Sequence, residues 1–408
     1  MTETTLDRKL DPVTFEVLRR GFDYACERMS QVLQKASFSP IIYDMVDFSS
    51  AVFDPDVELI GQTANCPVHI AAMHYSARAS LAKFPRETLQ DGDVVVLNDP
   101  YLGGTHTPDV TLTTPIYHND ELVAYAVSRA HWTDVGQTMD THIAGEGFRL
   151  PPVKLVAGGV VNRDLMDIIK NGTRTPQYIE GDVQAQLAAL WACRDEMRRL
   201  ANRYGVEVMR EGMREILDYT QRRTQKAIEQ IPDGVYEGED YIDSDGYSDE
   251  PVRIKVKLEV NGDRVHVDLT GSDRQVLGPI NSPLANTASA IYYSLKFFLD
   301  PHAPANAGMY RQIDFTIPEG TWLNPIWPAP PLPSRADTFR IPIRELEDDP
   351  NLSLLDESIL EQTPRLGATI VDSGVHGHPV VIDMRSFSAI VADQEDAIVP
   401  AAGMGVDE

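Results

Sequence analysis

VTLTTPIYHNDELVAYAVSR, residues 110–129, is the stretch that decides the fold. It is rich in β-branched and aromatic residues on both sides of a short polar break, which is typical of two strands joined by a turn. We predict a β-hairpin with strands at 110–117 and 121–129 and a turn at His118, Asn119 and Asp120. Both open ends of this hairpin run into dense polar segments.

Histidines are concentrated around the hairpin. Six of the ten lie between positions 69 and 142, namely His69, His74, His106, His118, His131 and His142. Two of them occur in polar stretches, NDPYLGGTHTPD at 98–109 and SRAHWTDVG at 128–136. The hairpin brings these two stretches to the same end of its strands.

The pairing of the two strands decides which polar side chains meet. With the turn centred near Asn119, residues 107–109 lie opposite 129–131, and strand alternation places Asp109 and His131 on one face. His106 lies just before the strand, at the same end. Imidazoles and carboxylates in this combination suit Zn²⁺, Mn²⁺ or Fe²⁺, and an open position on such an ion activates water or polarises a carbonyl.

A purely structural interpretation of the same pattern stays open. A His-x-x-Asp spacing alone is a weak signal, because histidines at strand ends often serve only as hydrogen-bonding groups. Gly103 and Gly104 serve a tight turn equally well without contacting a ligand. Cys66 precedes a helix start at Pro67 and lies near His69, but a buried thiol is the simpler interpretation.

The rest of the chain predicts an α+β protein. Apolar residues at spacings of three and four, with Asp11 as a cap, indicate a helix over 11–36. Further helices are predicted at 68–83, at 182–230 with an interruption near Gly205, and at 285–299, and strands at 47–54, 91–97 and 236–269. We expect a mixed, multi-layer body with an N-terminal metal-site region, a long helical segment and a β-rich portion.

The C-terminal part differs in character from the rest. We divide the chain into a catalytic region at 1–330, helical over 181–230 and β-rich over 235–330, and an atypical acidic segment at 331–408. Between 341 and 408 there are 14 Asp or Glu and three Arg but no Lys, which gives a charge of −11, and Phe387 is the single aromatic residue. Such a stretch lacks the large side chains that build a core, so we expect it to add little to the fold.

Composition argues against several classes of function. The chain has 36 Lys and Arg against 62 Asp and Glu, a formal net charge of −26 over 408 residues, which opposes binding to nucleic acid or to an anionic membrane. It has no phosphate-binding or dinucleotide-binding glycine motif. It has no signal-peptide core and no run of about 18 apolar residues. Its three scattered cysteines do not form a disulfide framework, and we expect a cytoplasmic protein.

A series of motifs resembles the hydantoinase B/oxoprolinase family. In order along the chain they are SPII at 39–42, DFS at 47–49, CPVH at 66–69, NDPYLGGTHTPD at 98–109, RAHWTDVG at 129–136, LPPVKL at 150–155, GDVQAQLAA at 181–189, GPINSP at 278–283 and PEGTWLNP at 318–325. The resemblance extends from residue 11 to residue 325 and is specific, because the motifs are many and occur in order.

The resemblance implies a metal site. In that family the aspartate of the Asp-Phe-Ser motif and the histidines of the two polar motifs hold a divalent metal. The matching residues are Asp47, His106 and His131, and Asp47 is implied by the resemblance alone. Asp109 and Asp134 are implied as further ligands or as neighbours of the ligands. We take these two carboxylates as the candidate catalytic residues, either of which is a candidate general base.

The resemblance also implies an activity and a partner. Family members work with a hydantoinase A-like subunit, an actin-like ATPase that phosphorylates the substrate oxygen. We therefore expect a hetero-oligomer in which ATP is consumed on the partner and this chain hydrolyses the amide bond of a cyclic small molecule of the hydantoin or 5-oxoproline type. Two alternatives stay open: a subunit of an ATP-dependent acetone- or acetophenone-type carboxylase, and a truncated scaffold subunit without catalysis.

This chain departs from the family pattern in three places. Gln137 stands where relatives have a second glycine, and Asn65-Cys66 stands where relatives often have His-Ile. We interpret both as marks of a different substrate. The family continues beyond residue 325 with a glycine-rich region that the acidic end of this chain does not match, which is the reason for the scaffold alternative.

Overall fold

The computed structural model describes residues 10–66, 68–137, 145 and 147–331, and three later strands, Thr369–Val371, Pro379–Asp383 and Ser388–Val391. Those three strands form a small antiparallel sheet. Apart from them, the acidic segment at 331–408 lies outside the described residues, as does His142. The boundary at residue 330 and the minor structural role of the acidic segment therefore stay predictions.

The fold is α+β. Its helices of at least nine residues are α1 (Pro12–Ala36), α3 (His69–Lys83), α4 (Arg163–Asn171), α5 (Pro176–Tyr204), α6 (Val206–Ile228) and α7 (Leu284–Leu299), with single turns at α2 (Pro40–Tyr43) and α8 (Ala307–Tyr310). Helix α1 begins as predicted, with Asp11 accepting hydrogen bonds from the amides of Val13 and Thr14. Within the described ranges we find no helix with the length and apolar character that crossing a membrane requires.

The first sheet is built around the predicted hairpin. Its strands are β1 (Phe48–Phe53), β2 (Leu59–Ala64), β3 (Val94–Leu97), β4 (Asp109–His118), β5 (Glu121–His131), β6 (Val153–Ala157) and β7 (Val160–Val161). They lie in the order β2-β1-β5-β4-β3-β6-β7, and every neighbouring pair is antiparallel. The hairpin strands β4 and β5 therefore occupy the middle of the sheet, with β1 beside β5.

The hairpin has a tighter turn and a different register from those predicted. Asn119 and Asp120 both have positive φ, 51° and 63°, which is the geometry of a two-residue hairpin loop. The register shifts between Ile116 and Tyr117, and Asp109 then pairs directly with His131. The predicted pairing of 107–109 with 129–131 was therefore wrong by two residues. One comes from the tighter turn and one from the irregularity, and neither can be read from the pattern. The prediction that Asp109 and His131 share a face is confirmed.

Helices cover both faces of this sheet. Ser50 of β1 faces α1, whose Ser30 hydroxyl lies 3.1 Å from the Ser50 hydroxyl. The next residue back, Ser49, faces α3 and lies 3.0 Å from Nδ1 of His69. All six residues of β1 are buried. Helix α5 packs with α1 against the hairpin strands.

The second sheet lies in the predicted β-rich portion of the chain and is exposed on one side. Its strands are β8 (Gly234–Ile242), β9 (Val252–Asn261), β10 (Arg264–Asp268) and β11 (Ile313–Thr316), in the order β11-β10-β9-β8, with β10 and β11 parallel. Strands β9 and β10 are antiparallel and form a hairpin. Apolar residues of α7 share one core with the buried face of this sheet.

Helix α3 joins the two cores. Its Met73 and Ala77 belong to the core of the first sheet, and its Ile70 and Ala71 belong to the core of the second. The Tyr310 hydroxyl donates a 2.7 Å hydrogen bond to the carbonyl of Ile70. The helix that begins with His69 is therefore held from both sides.

Helix α5 begins earlier than predicted. The sequence suggested a start at Asp182, but the helix runs from Pro176. The buried carboxylate of Asp182 accepts hydrogen bonds from the amides of Phe38 (2.7 Å) and Ser39 (3.1 Å), just before α2. Asp182 therefore lies inside α5 and binds the amides that precede α2.

Candidate metal centre

His106, Asp109 and His131 meet at the open end of the central hairpin. Asp109 opens β4, His131 closes β5 directly opposite it, and His106 lies in the preceding loop. The rings of His106 and His131 have centroids 5.0 Å apart. Each of the three residues offers one ligand atom within 4.8 Å of the others, and all three are buried. The structure thus brings together three of the five predicted site residues.

Asp109 lies between two imidazoles. Its Oδ2 is 3.0 Å from Nε2 of His69, its Oδ1 is 3.0 Å from Nε2 of His106, and Oδ2 also accepts a hydrogen bond from the Thr105 hydroxyl. Burial opposes ionisation, but the neighbouring His106 and His69 hold the pKa of Asp109 well below its usual range. Asp109 is therefore a carboxylate at neutral pH.

His131 is a neutral imidazole. Burial lowers its pKa, which outweighs the attraction of the Asp47 carboxylate. Within the described part of the chain, neither of its ring nitrogens has a hydrogen-bond partner, and both are buried. Buried polar groups normally have hydrogen-bond partners. The His131 ring, whose two buried nitrogens have none among the described residues, is therefore a candidate metal ligand.

The geometry of the three side chains fits a metal ion. A tetrahedral ion with bonds of about 2.0 Å holds its ligand atoms about 3.3 Å apart, and Nε2 of His106 lies 3.0 Å from Oδ1 of Asp109. That oxygen accepts no aligned hydrogen bond from the described residues. Two imidazole nitrogens and a carboxylate oxygen suit Zn²⁺, Mn²⁺ or Fe²⁺.

Asp47 lies beside this group, in a second cluster. The backbone amide of His131 donates to the Asp47 carbonyl at 3.1 Å, and the Asp47 carboxylate is close enough to act on the pKa of His131. The ligand atoms of Asp47, however, lie within 4.8 Å of those of Cys66 and His69. Cys66 is half-buried rather than buried as predicted, while His69 is buried. Asp47 Oδ2 meets no hydrogen-bond partner among the described residues.

Asp134 forms an ion pair with Arg174 instead of joining the candidate ligands among the described residues. Both of its oxygens bind Arg174, with 2.6 Å from Oδ1 to the guanidinium Nη2, and Oδ2 also accepts from the Thr173 hydroxyl at 3.0 Å. Burial opposes ionisation, but these hydrogen bonds from Arg174 hold the pKa of Asp134 at about 2. Asp134 joins neither cluster of candidate ligands in the described ranges. Its contacts fix the chain at 173–174 against the segment that follows β5.

Arg129 is a buried cation that sequence reasoning missed. Its Nε donates to Thr111 at 2.9 Å and its Nη2 to Ser76 at 2.5 Å, which links β5, β4 and α3. Burial lowers its pKa to about 10, while the charge of Asp109 favours the ionised form. It lies two residues before His131 on the same strand face, a signal that strand alternation makes available.

The loop that carries His106 lies flat on α3. Gly103 has φ of 94°, and a Cβ there would lie 2.6 Å from the carbonyl oxygen of Tyr75. A Cβ at Gly104 would lie 2.8 Å from the carbonyl oxygen of Asp99. The Ser76 hydroxyl donates to the Gly103 carbonyl at 2.6 Å. Both glycines are therefore required by close backbone approach, in addition to the tight turn at Gly103.

An aromatic group borders the same loop. The Arg149 guanidinium lies 3.9 Å from the ring centroid of Trp327 and 5.8 Å from that of Tyr101. Trp327 remains half-exposed, with 53% of its surface accessible. We call Tyr101, Arg149 and Trp327 the rim.

The chain is similar in sequence to several known proteins. A family model described as hydantoinase B/oxoprolinase matches residues 11–341. The B subunit of a putative D-/L-hydantoinase from Pseudomonas sp. (strain NS671) is 32% identical over 351 residues, which cover 79% of this chain and 58% of the relative. The beta subunit of the caprolactamase from Pseudomonas jessenii is 32% identical, with 82% and 60% covered. The 5-oxoprolinase of Dictyostelium discoideum is 30% identical, with 79% and 26% covered.

Two solved structures are similar in fold. The ATP-dependent caprolactamase from Pseudomonas jessenii superposes with a TM-score of 0.74 at 32% identity, covering 80% of this chain and 57% of that one. A nucleotide-free acetone carboxylase gives a TM-score of 0.70 at 19% identity, covering 79% and 45%, which is a likeness of fold. The chain spans at most 60% of the length of these relatives.

Proposed function

The chain belongs to the hydantoinase B/oxoprolinase family, and we propose that it is the metal-binding subunit of an ATP-dependent complex that hydrolyses the amide bond of a cyclic small molecule. Three relatives at 30–32% identity support this choice of substrate class. Caprolactam, 5-oxoproline and hydantoin, from which their names derive, each contain an amide within a ring.

His131 carries the proposal. Its neutral ring, with both nitrogens buried and unsatisfied among the described residues, lies against His106 and Asp109. These three residues, with Asp47 next to them, would hold a Zn²⁺, Mn²⁺ or Fe²⁺ ion. Such an ion supplies Lewis acidity, which polarises an amide carbonyl and lowers the pKa of water.

The residues around the ligands have separate tasks. Asp109 stays ionised and orients the rings of His69 and His106, and we assign it as the candidate general base. Asp134 was the other candidate. We assign it a positioning role instead, because its two oxygens bind Arg174 and Thr173 and it joins neither cluster of candidate ligands in the described ranges.

The ATPase would be a separate subunit. The related hydantoinase and caprolactamase chains are named as subunits, and the caprolactamase is called ATP-dependent. The present sequence contains no glycine-rich phosphate loop. We therefore propose a hydantoinase A-like partner that consumes ATP, within a hetero-oligomer.

The decisive experiment combines metal analysis with turnover. We would purify the chain together with its ATPase partner, measure bound metal, and follow ATP consumption with hydantoins, 5-oxoproline, lactams and ketones. The proposal predicts metal in the complex and ATP consumption with a cyclic amide. Bicarbonate-dependent consumption with a ketone alone would instead identify a carboxylase, and a metal-free complex without turnover would identify a scaffold.

Single substitutions test the site itself. His106→Ala and His131→Ala should each remove most of the bound metal and reduce turnover by at least about a hundredfold, because each deletes one ligand. His118→Ala is the matched control, since this histidine lies on the same hairpin at the opposite end. Full metal content and full turnover in either of the first two variants would contradict the assignment.

A further inference from the structure

The cluster beside the proposed centre has its own set of ligand atoms. Asp47 precedes β1, Cys66 follows β2, and His69 opens α3. These residues come from three different elements, yet one carboxylate oxygen, the thiol sulfur and one ring nitrogen lie within 4.8 Å of one another. None of these three residues lies on the central hairpin. The hairpin strands and the loop before them supply the first group.

The donor set differs in kind from that of the first group. A thiolate, an imidazole and a carboxylate together favour zinc and similar thiophilic divalent ions. Coordination by such an ion deprotonates a thiol outright. Cys66 is half-buried, so an ion has a route to it, while Asp47 Oδ2 is buried and meets no hydrogen-bond partner in the described ranges.

His69 has the surroundings of a metal ligand. Ligating histidines usually donate their second ring nitrogen to a carboxylate, and Nε2 of His69 lies 3.0 Å from Oδ2 of Asp109. The other nitrogen, Nδ1, lies 3.0 Å from the Ser49 hydroxyl. Ser49 is two positions after Asp47, so Nδ1 points toward the side of β1 on which Asp47 lies.

Buried negative charge in the two groups favours bound cations. The Asp47 and Asp109 carboxylates are both buried, and Arg129 is a buried cation beside Asp109. Buried charges are costly unless they are paired or coordinate metals. A thiolate at Cys66 would add a further negative charge, which a divalent ion bound there would offset.

We propose that Asp47, Cys66 and His69 form a second subsite for a thiophilic divalent cation of the zinc class, adjoining the His106–Asp109–His131 group through the contact between His69 and Asp109. The assignment does not depend on the substrate, and it adds a soft ligand to a centre whose other donors are nitrogen and oxygen.

Cobalt is the probe for this subsite. The purified chain, stripped of metal, is titrated with Co²⁺, and bound cobalt per chain is measured along with the near-ultraviolet sulfur-to-cobalt charge-transfer absorption. Wild-type protein should bind two ions and show the sulfur band. Cys66→Ser should lose the band and one ion. Cys193→Ala, which removes a thiol buried in the core, should behave as wild type.

The two groups are separated by a double variant. Protein carrying His106→Ala and His131→Ala should keep the sulfur band and bind one ion, because it retains the second subsite. A single ion per saturated wild-type chain without a sulfur band, or a sulfur band that survives in Cys66→Ser, would overturn the proposal. Either result leaves the proposed function standing, since that depends on metal retention by His106 and His131.

Discussion

In the second sheet, strand β9 buries Val252, Ile254 and Val256 and leaves the charged residues between them half-buried. In the first sheet, strand β4 buries its first eight residues, including Asp109 and Thr111. Helix α3 covers the polar face of the first sheet, so ionisable groups are enclosed there away from solvent. The second sheet achieves stability by separating apolar from polar faces, whereas the first encloses buried polar groups. Some of these, such as Arg129 with Thr111, have specific partners, and others, such as the ring nitrogens of His131, have none among the described residues.

The largest expected effect comes from adding a methyl group where the loop before His106 contacts α3. Gly103→Ala should lower the free energy of unfolding by about 4 kcal/mol, because it adds positive-φ strain to a clash with the Tyr75 backbone. Gly159→Ala is the matched control, with φ of 83° and no atom within 4 Å of the added Cβ, and should cost about 1–2 kcal/mol. Denaturant unfolding measures both, and equal losses would show that the loop yields to the added methyl.

A buried cation in the first sheet should matter more than a surface one in the second. Arg129→Met removes hydrogen bonds to Thr111 and Ser76 and leaves Asp109 without its positive neighbour, so we expect a loss of about 3 kcal/mol. Lys257→Met on β9 should change stability by no more than about 0.5 kcal/mol. The two values come from urea unfolding of metal-free protein. A neutral Arg129→Met would mean that the polar face tolerates apolar replacement.

The smallest expected effect is a pH dependence at the helix shared by the two cores. Burial lowers the pKa of His74 on α3 to about 4. In the unfolded chain this histidine has a pKa near 6.5 and takes up a proton at a pH where the folded state does not. Stability therefore falls as pH decreases from about 6.5 towards about 4. Between pH 7 and pH 5, metal-free wild type should lose roughly 2 kcal/mol more than His74→Gln. Parallel pH profiles of the two proteins would contradict this.

Sequence reasoning succeeded where the pattern was local. The hairpin at 110–129, the helix after Asp11 and the break at Gly205 all follow from signals within a few residues. The shared face of Asp109 and His131 follows from strand alternation once the hairpin is accepted. The register itself did not follow, because neither the two-residue turn at Asn119 and Asp120 nor the irregularity after Ile116 has a signal in the alternation of residue types.

The remaining parts of the site depend on long-range pairing. Asp47 reaches His131 only because β1 lies beside β5, which no local spacing in the sequence reveals, and it was named through family resemblance. His69 was noticed only as a neighbour of Cys66, yet it contacts Asp109 forty residues away. Arg129 belonged to a quoted motif but was given no role, because its partners lie on β4 and α3.

The close contact between the Gly103–Gly104 loop and α3 has a consequence for which substitutions this part of the fold can accept. Backbone contacts and the Ser76 hydroxyl together hold the loop before His106 on the helix, so substitutions elsewhere on the helix surface should leave that imidazole in place. The rim of Tyr101, Arg149 and Trp327 is held through side chains, and Trp327 is still half-exposed. Substitutions at the rim should therefore change the surface beside the loop without moving His106.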